Sequence, residues 1–316
     1  MARYLTEEQV GQLLPMADAI NALEQAFRAL AAGQAEVHPR QRVRQPNGVL
    51  QVMPAGLPGA GLGLKAYATC RGGTRFLFLL FDQDDGRPLA LFEANRLGQI
   101  RTGAASGLAT KYMARQEAGI VGIFGTGWQA RSQLAAICAV RTVREVRCFG
   151  RDAARREQFA RAMSSELGVA VRPQAEARDV VYGADVIITI TSASEPVFDG
   201  AWLAPGTHVN AAGVNQAAKR EIDARTVERA GTVVVDLLSQ ARIECGDLIA
   251  AERIGAFTWE RAQELAPVVA GTSPGRQSDD EITLFESQGI ALEDVAVGAL
   301  VYRRAMEQGI GVELPF

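Results

Sequence analysis

The feature that most constrains the fold of this chain is a glycine-rich turn between an apolar strand and a helix. Residues 118–124 have the composition of a buried strand, and residues 125–130, Gly-Thr-Gly-Trp-Gln-Ala, follow directly. In such a turn the first glycine makes the tight bend, the second lets backbone N–H groups approach a pyrophosphate, and the alanine allows close packing of helix on strand. A lone GxGxxA pattern is weak, but its position between a strand and a helix indicates a dinucleotide-binding site.

Strand-like and helical segments alternate along the second part of the chain. Because parallel strands need crossover helices between them, this alternation predicts an α/β fold with a doubly wound parallel sheet of the Rossmann type. The predicted strands cover residues 119–124, 143–149, 184–191, 208–212 and 232–236, and the intervening helices include 129–139 and 153–167.

The first part of the chain predicts a smaller α+β domain. Helical patterns before Gly33 give way to apolar segments of strand length. A helix over 93–113 is crowded with glycine, alanine and serine, which predicts the close approach of another backbone or of a ligand. A last helix over 291–307 is able to return to this domain. The predicted strands of the domain are 49–53, 63–69, 75–81 and 89–92.

The composition gives no reason to expect nucleic acid, a membrane or a metal ion as a partner. The net charge is −3, from 33 basic and 36 acidic residues, and no apolar run approaches the length of a membrane helix. Two histidines exclude a multi-histidine metal site, and nothing else clusters with metal-ligand spacing. Four scattered cysteines without a CxxC pair indicate reduced thiols, so we expect a cytoplasmic protein.

The end of the second Rossmann strand bears on the choice between NADP and NAD. An NAD site usually places an acid there to bind the ribose 2′-hydroxyl, whereas this chain has Gly150 followed by Arg151 and then Arg155. Guanidinium groups suit a 2′-phosphate, so the sequence favours NADP(H). Asp152 keeps NAD(H) open, because a shift of two residues would put it near the ribose. A solvated helix face is the other interpretation of the arginines.

Basic side chains stand in apolar surroundings in the first domain. Lys65 lies in an apolar predicted strand and Arg101 in a helix of small residues. Arg40 and Arg42 share one face of a predicted strand, because side chains alternate along a strand. A buried basic group needs an anionic partner or a ligand. We therefore predict an anion-binding site here, with structural salt bridges as the alternative.

Ordered motifs run through nearly the whole chain. Besides the turn at 125–130, they are Val52-Met53-Pro54, Gly63-x-Lys65, Arg101-Thr102-Gly103-Ala104-Ala105, Asn210-Ala211-Ala212-Gly213, Arg220-Glu221-Ile222-Asp223, Glu244-x-Gly246-Asp247-Leu248 and the stretch 280–294. Together they resemble the motifs of the ornithine cyclodeaminase/μ-crystallin family. The resemblance implies a homodimer, in which residues 1–113 and 290–316 form a substrate-binding and dimerisation domain beside a dinucleotide-binding Rossmann domain of residues 114–289.

The resemblance also implies roles for individual residues. Lys65, Arg101 and either Arg42 or Arg40 would surround the carboxylate and the reacting nitrogen of an amino acid or imine. A lysine beside two arginines, away from water, should have a lowered pKa and could exchange a proton near neutrality. The residues expected at the cofactor are Thr102, Gly125, Thr126, Gly127, Trp128, Gln129, Gly150, Arg151, Arg155, Thr191, Val209, Ala211, Lys219 and Ser287.

One position departs from the family pattern and determines the predicted reaction. Cyclodeaminases and related alanine dehydrogenases carry a catalytic aspartate shortly after the Asn-Ala-x-Gly motif, where this chain has Asn215. An amide cannot take up a proton as a carboxylate does, whereas imine reduction needs only a bound protonated imine and a hydride. We therefore expect an NAD(P)H-dependent imine or ketimine reductase with Lys65 and Asn215 as catalytic residues.

Two alternatives stay open beside this prediction. The first is an ornithine cyclodeaminase or alanine-type dehydrogenase, which Asn215 and Gly150 disfavour. The second, of another class, is an NADPH-dependent small-molecule-binding protein of the μ-crystallin kind. Lys65 and Arg101 disfavour the binding protein, since a carrier needs no proton donor, and measurable turnover separates the two.

Overall fold

A computed structural model describes residues 1–315 and divides the chain into two compact units. The first unit comprises residues 1–101 and the C-terminal segment that begins at Gly289. The second unit comprises residues 102–288. No helix in the described part of the chain is long and apolar enough to cross a membrane.

Helices and strands cover most of both units. The strands are β1 (Ala2–Leu5), β2 (Glu36–Val37), β3 (Gln41–Gln45), β4 (Gly48–Leu57), β5 (Gly61–Cys70), β6 (Gly73–Phe81), β7 (Pro88–Glu93), β8 (Ile120–Phe124), β9 (Glu145–Phe149), β10 (Val171–Pro173), β11 (Val186–Thr189), β12 (His208–Ala211), β13 (Thr232–Val235), β14 (Ala262–Glu264), β15 (Thr283–Glu286) and β16 (Val312–Leu314). The α-helices are α1 (Glu7–Leu13), α2 (Met16–Ala31), α3 (Asn95–Met113), α4 (Trp128–Val140), α5 (Ala153–Leu167), α6 (Ala177–Val181), α7 (Ala224–Arg229), α8 (Leu238–Glu244), α9 (Gly246–Arg253), α10 (Leu265–Ala270) and α11 (Ala291–Gln308).

The first unit is built on a mixed sheet in the order β16-β1-β7-β6-β5-β4-β2, with β3 also paired to β4. The last helix, α11, packs on β4, β5 and β6 and against α2. Gly63 on β5 allows this close approach, since a Cβ there would lie 2.4 Å from Val295 of α11. Met53, Phe78 and Phe92 are fully buried on the covered face of the sheet.

The opposite face of this sheet is apolar and partly exposed. We call it the outer face and define it by Leu50, Leu62, Leu64, Leu77 and Leu79. The strand register puts these residues on one face of the sheet, and Leu64 pairs directly with Leu79. Leu50, Leu62 and Leu77 keep 44%, 50% and 46% of their surface exposed.

The second unit contains the parallel sheet that the alternating segments predict. Its strand order is β10-β9-β8-β11-β12-β15-β13-β14, and every neighbouring pair is parallel. The switch in strand order lies at β8, which precedes the glycine-rich turn, so the Rossmann fold and the α/β class are confirmed. In such sheets ligands bind beyond the carboxyl ends of the strands at this switch point.

Helix α3 is the place where the chain passes from the first unit to the second. The division falls between Arg101 and Thr102, inside the helix, whereas the sequence predicted it at the helix end. The reason is that the second half of α3 packs within the second unit. A Cβ on Gly103 would lie 2.4 Å from the carbonyl oxygen of Ser132, and Arg141 donates hydrogen bonds to the carbonyls of Thr110 and Ala114.

Candidate active site

Lys65 is a buried cation on the covered face of the first unit's sheet. It lies in β5, paired with Met53 of β4 and Phe78 of β6, and only 2% of its surface is exposed. Its Nζ donates a hydrogen bond of 2.8 Å to Oδ1 of Asp294, which belongs to the first turn of α11. The register of the strands and the packing of α11 therefore determine where this amine points.

Arg101 lies beside the same helix turn. Its Nη1 donates to Oε2 of Glu293 at 2.8 Å, and its Nε is 3.4 Å from Oδ1 of Asp294. A Cβ on Gly289 would lie 2.3 Å from Nη1 of Arg101, and Gly289 has a φ of 74°. Glycine is required here because it has no Cβ to clash with Arg101 and because it tolerates a positive φ. The turn before α11 therefore leaves room for the arginine side chain.

Of the two candidate arginines near β3, Arg40 lies in the same cross-strand row as Lys65, that is, the line of paired residues that runs across the strands through Met53. It precedes the pair Gln41–Val52, which places it opposite Met53, and its Nε donates to the Sδ of Met53 at 3.3 Å. Its Nη2 donates to the carbonyl oxygen of Gly289 at 3.1 Å, and 5% of its surface is exposed. Arg42 is half-buried in the next row, opposite Gln51.

The charges of this cluster change the acidity of Lys65. Burial lowers the pKa of Lys65 to about 8, and the charge of Arg101 acts in the same direction, whereas Asp294 raises it. For Arg101, burial opposes the charged form, but the charges of Asp294 and Glu293 raise its pKa above the usual value. The arginine therefore stays charged, while the lysine is able to give up a proton near neutral pH.

Aromatic side chains lie next to this cluster on the same face. Tyr67 and Phe76 stack with ring centroids 4.9 Å apart, in the row that begins with Gln51. The Nζ of Lys65 lies 5.8 Å from the ring centroid of Phe76. The two rows together offer cations for a carboxylate and a flat apolar surface for the rest of a small molecule.

The glycine-rich turn of the second unit has the geometry of a pyrophosphate site. Gly125 has a φ of 109°, and a Cβ there would lie 2.3 Å from the carbonyl oxygen of Ile190. No side-chain hydrogen bond caps α4 at Gly127, and the space around the Cα of Gly127 is open. The N-terminal end of α4 and its dipole thus favour an anion at this turn.

The end of β9 carries the residues predicted to meet the adenosine ribose. A Cβ on Gly150 would lie 2.8 Å from Oγ1 of Thr126, so this residue keeps the strand end close to the glycine-rich turn. Arg151 is exposed, and the Arg155 side chain is 82% exposed. Asp152 caps α5 by accepting a hydrogen bond from the N–H of Arg155.

The remaining predicted cofactor residues mostly follow the carboxyl ends of parallel strands. Thr191 comes after β11, Ala211 ends β12, and Ser287 comes after β15. Oγ of Ser287 and Oε1 of Gln129 are buried without a hydrogen-bond partner among residues 1–315, as expected of groups that bind a ligand. The others are Thr102 on α3, Val209 within β12, and Lys219, which is half-buried like Asn215 in the segment between β12 and α7.

A buried carboxylate that the sequence motifs contained but did not explain connects these strand ends. Glu221 accepts hydrogen bonds from the N–H groups of Thr191 and Gly213 and from Oγ1 of Thr189. Burial raises the pKa of Glu221 to about 7 despite these donors. Asp247 in turn accepts from the N–H of Glu221, so the segment that carries Asn215 is anchored at both ends.

Within residues 1–315, no group of three or more histidine, cysteine, aspartate or glutamate side chains is arranged to hold a metal ion. The two buried carboxylates of α11, Glu293 and Asp294, were not among the predicted site residues. Acidic residues in the first turn of a helix are common, because they complement its dipole, so their sequence position alone gave no functional signal.

Comparison with known proteins places this geometry among amino acid and imine enzymes. The sequence model of the ornithine cyclodeaminase/mu-crystallin family matches residues 2–309. The chain is 38% identical to Delta(1)-pyrroline-2-carboxylate reductase of Bacillus cereus, over 76% of this chain and 74% of that protein. The structure of the Thermococcus litoralis Delta(1)-pyrroline-2-carboxylate reductase, in complex with NADH and L-proline, is similar with a TM-score of 0.94 and 35% identity, covering 99% and 100% of the two chains. An archaeal alanine dehydrogenase dimer with bound NAD gives a TM-score of 0.94 at 34% identity, covering 100% and 99%.

Proposed function

The chain belongs to the ornithine cyclodeaminase/mu-crystallin family, and from this premise we propose that it reduces a carboxylate-bearing, cyclic imine to an amino acid with NAD(P)H. The observation that carries the proposal is the buried Lys65, whose pKa is lowered by burial and by the charges of Arg101 and Arg40. Asn215, in place of an acid, supports reduction over deamination, because an amide cannot act as the base that activates water or an amine.

Each residue of the cluster has a role in this proposal. Arg40 and Arg101 bind the substrate carboxylate, for which a guanidinium offers two parallel hydrogen bonds. Lys65 gives a proton to the imine nitrogen, and Asn215 forms a hydrogen bond to the same side of the substrate. A reduced nicotinamide supplies the hydride that the imine carbon accepts. The glycine-rich turn at Gly125 and the N-terminus of α4 hold the pyrophosphate.

The direct test is an assay with two parallel reactions. The first contains the protein, NADPH and Δ1-pyrroline-2-carboxylate or piperideine-2-carboxylate, and the absorbance of the reduced nicotinamide is followed. The second contains NAD and ornithine, and ammonia is measured. We expect turnover in the first reaction alone. Ammonia and proline in the second would mean that Asn215 does not prevent deamination, and silence in both would favour a small-molecule-binding protein.

The proposed coenzyme preference is for NADP(H) over NAD(H). The exposed guanidinium groups of Arg151 and Arg155 lie at the end of β9 and the start of α5, where a 2′-phosphate would be held. Asp152 is engaged as the cap of α5, which supports a ribose site without a dedicated carboxylate. The similar structures named above contain NADH or NAD, so the preference has to be measured on this chain.

Arg151→Ala is therefore expected to raise the KM for NADPH by about tenfold or more and to leave the KM for NADH unchanged, because one charge-assisted contact to a phosphate is lost. Steady-state kinetics with both coenzymes measures the effect. The matched control is Arg161→Ala, an exposed arginine further along α5. Equal changes for both coenzymes, or none, would argue for NAD(H) as the natural coenzyme.

We also propose that the active form is a homodimer that covers the outer face. Leu50, Leu62 and Leu77 of this face are 44–50% exposed, and an archaeal alanine dehydrogenase of the same fold is described as a dimer. Leu77→Arg, at a position 46% exposed, is expected to give monomers, because a buried unpaired charge in the interface costs several kcal/mol. Sedimentation velocity measures the mass, with Ile254→Arg, at an exposed site of the second unit, as control. Monomeric wild-type protein would contradict the proposal.

A further inference from the structure

The cluster around Lys65 contains more buried charge than a carboxylate site requires. Three cations, Arg40, Lys65 and Arg101, are 2–8% exposed, and two carboxylates, Glu293 and Asp294, have no exposed surface. Buried charges persist only when they are paired, because desolvation strongly disfavours an isolated ion. With Lys65 protonated, the five groups leave one net positive charge, which a single carboxylate of a ligand would cancel.

The two carboxylates of α11 contact different cations. Oε2 of Glu293 is 2.8 Å from Nη1 of Arg101. Oδ1 of Asp294 lies between the two cationic side chains, 2.8 Å from Nζ of Lys65 and 3.4 Å from Nε of Arg101. Asp294 is therefore the carboxylate in direct contact with the lysine, and it also holds that lysine at a set distance from Arg101.

We infer that Asp294 is a positioning residue that keeps the proton on Lys65, and that the substrate carboxylate, by cancelling the remaining positive charge, secures this proton until the imine nitrogen accepts it. The inference rests on the proposed function. It explains why this chain places two acidic side chains of α11 beside a site that has to bind an anion. The acids hold the empty cluster at one positive charge, so that a monocarboxylate is attracted without forcing Lys65 to deprotonate first.

The charged groups that face Lys65 act on its proton in opposite directions. From other elements, Arg40 and Arg101 favour loss of the proton and Asp294 opposes it. Glu293 acts through Arg101, while Tyr67 follows two residues later on the same strand and Arg42 lies in the next row. Without the charge of Asp294, three cations would be balanced only by Glu293. The pKa of the lysine should then fall further.

The effect of Asp294 on the pKa of Lys65 can be measured directly, because Lys65, Lys111 and Lys219 are the only lysines of the sequence. Protein labelled with ¹³C-lysine gives three side-chain ε signals, and Lys65→Arg identifies the signal of residue 65. Titration by NMR then yields the pKa of Lys65 without any turnover. We expect Asp294→Asn to lower this pKa by about one unit or more and Asp294→Glu to restore it. Saturating pyrrole-2-carboxylate, a monoanion whose ring nitrogen carries no positive charge, should raise it in the wild type.

Two controls separate this role from a structural one. Asp18→Asn removes a surface ion pair with Arg304 and should leave the titration of Lys65 unchanged. The pH dependence of kcat/KM with pyrroline-2-carboxylate should move in Asp294→Asn toward acid by the same amount as the NMR titration. If the assay finds no turnover, the proposed function fails while the titration still tests Asp294. A Lys65 pKa that is equal or higher in Asp294→Asn would overturn the inference. If that variant does not fold, the wild-type titration decides. The inference fails if bound pyrrole-2-carboxylate leaves the pKa of Lys65 unchanged or lowers it.

Discussion

Replacing Lys65 with alanine is expected to lower kcat for imine reduction by about 10²–10⁴-fold, the range typical of a lost proton donor. NADPH binding should be nearly unchanged, because the glycine-rich turn and the helix α4 that would hold the coenzyme belong to the other unit. In the wild type, kcat/KM should fall as the pH rises through about 8, where Lys65 loses its proton in the free enzyme. In Lys65→Ala, kcat/KM should be low and should no longer fall as the pH rises through about 8.

A second substitution at the same site separates charge from proton transfer. Lys65→Arg keeps a positive charge but cannot release a proton, because a guanidinium stays protonated at any usable pH. It should therefore preserve much of the substrate affinity and still lose turnover. Lys111→Ala, at an exposed position of α3, is the control and should behave as the wild type. Unchanged turnover in Lys65→Ala would remove the lysine from the mechanism.

Much of the fold could be predicted because its signal is periodic. The strands that became β8, β9, β11, β12 and β13 are continuous apolar runs separated by helical patterns, as buried parallel strands are. The central strand β15 (Thr283–Glu286) was not predicted. Its four residues follow an acidic stretch at 279–281 and end in Glu286, and so short a run carries no periodicity.

The candidate site could be predicted only where a charged residue stands in a segment whose other residues are apolar or small. Lys65 and Arg101 were found because a charge in an apolar strand or a helix of small residues needs a partner. Alternation put Arg40 and Arg42 on the same face and could not choose between them, since the choice depends on the register with Met53. Asp294 is 229 residues from Lys65 in the sequence, and only the packing of α11 on the sheet brings them together.

This long-range pairing has a consequence for the other arginine of the cluster. Arg101 has two roles in the proposal. It binds the substrate carboxylate, and it neutralises the charge of the buried Glu293. The two roles have different energetic costs when the arginine is lost. Loss of the substrate contact weakens binding, whereas loss of the ion pair leaves a buried carboxylate without its partner and destabilises the fold by about 3–5 kcal/mol.

Arg101→Met is accordingly expected to raise the KM for the imine by roughly 100-fold or more, in line with about 3 kcal/mol for a buried charge-assisted contact, and to lower Tm clearly. The double variant Arg101→Met with Glu293→Gln removes the uncompensated charge. It should regain much of the Tm and none of the substrate affinity. Thermal unfolding and steady-state kinetics on the single and double variants measure both effects.

Arg71→Met, an exposed arginine in the turn between β5 and β6, controls for the loss of a surface guanidinium and should change neither quantity. If the double variant regained substrate affinity together with Tm, Arg101 would act only by stabilising the first turn of α11, and the carboxylate would have to be bound by Arg40 alone. If instead affinity stays low in a stable protein, the guanidinium itself binds the substrate. The two carboxylates of α11 then serve to make a permanent charge tolerable in a site that is filled only part of the time.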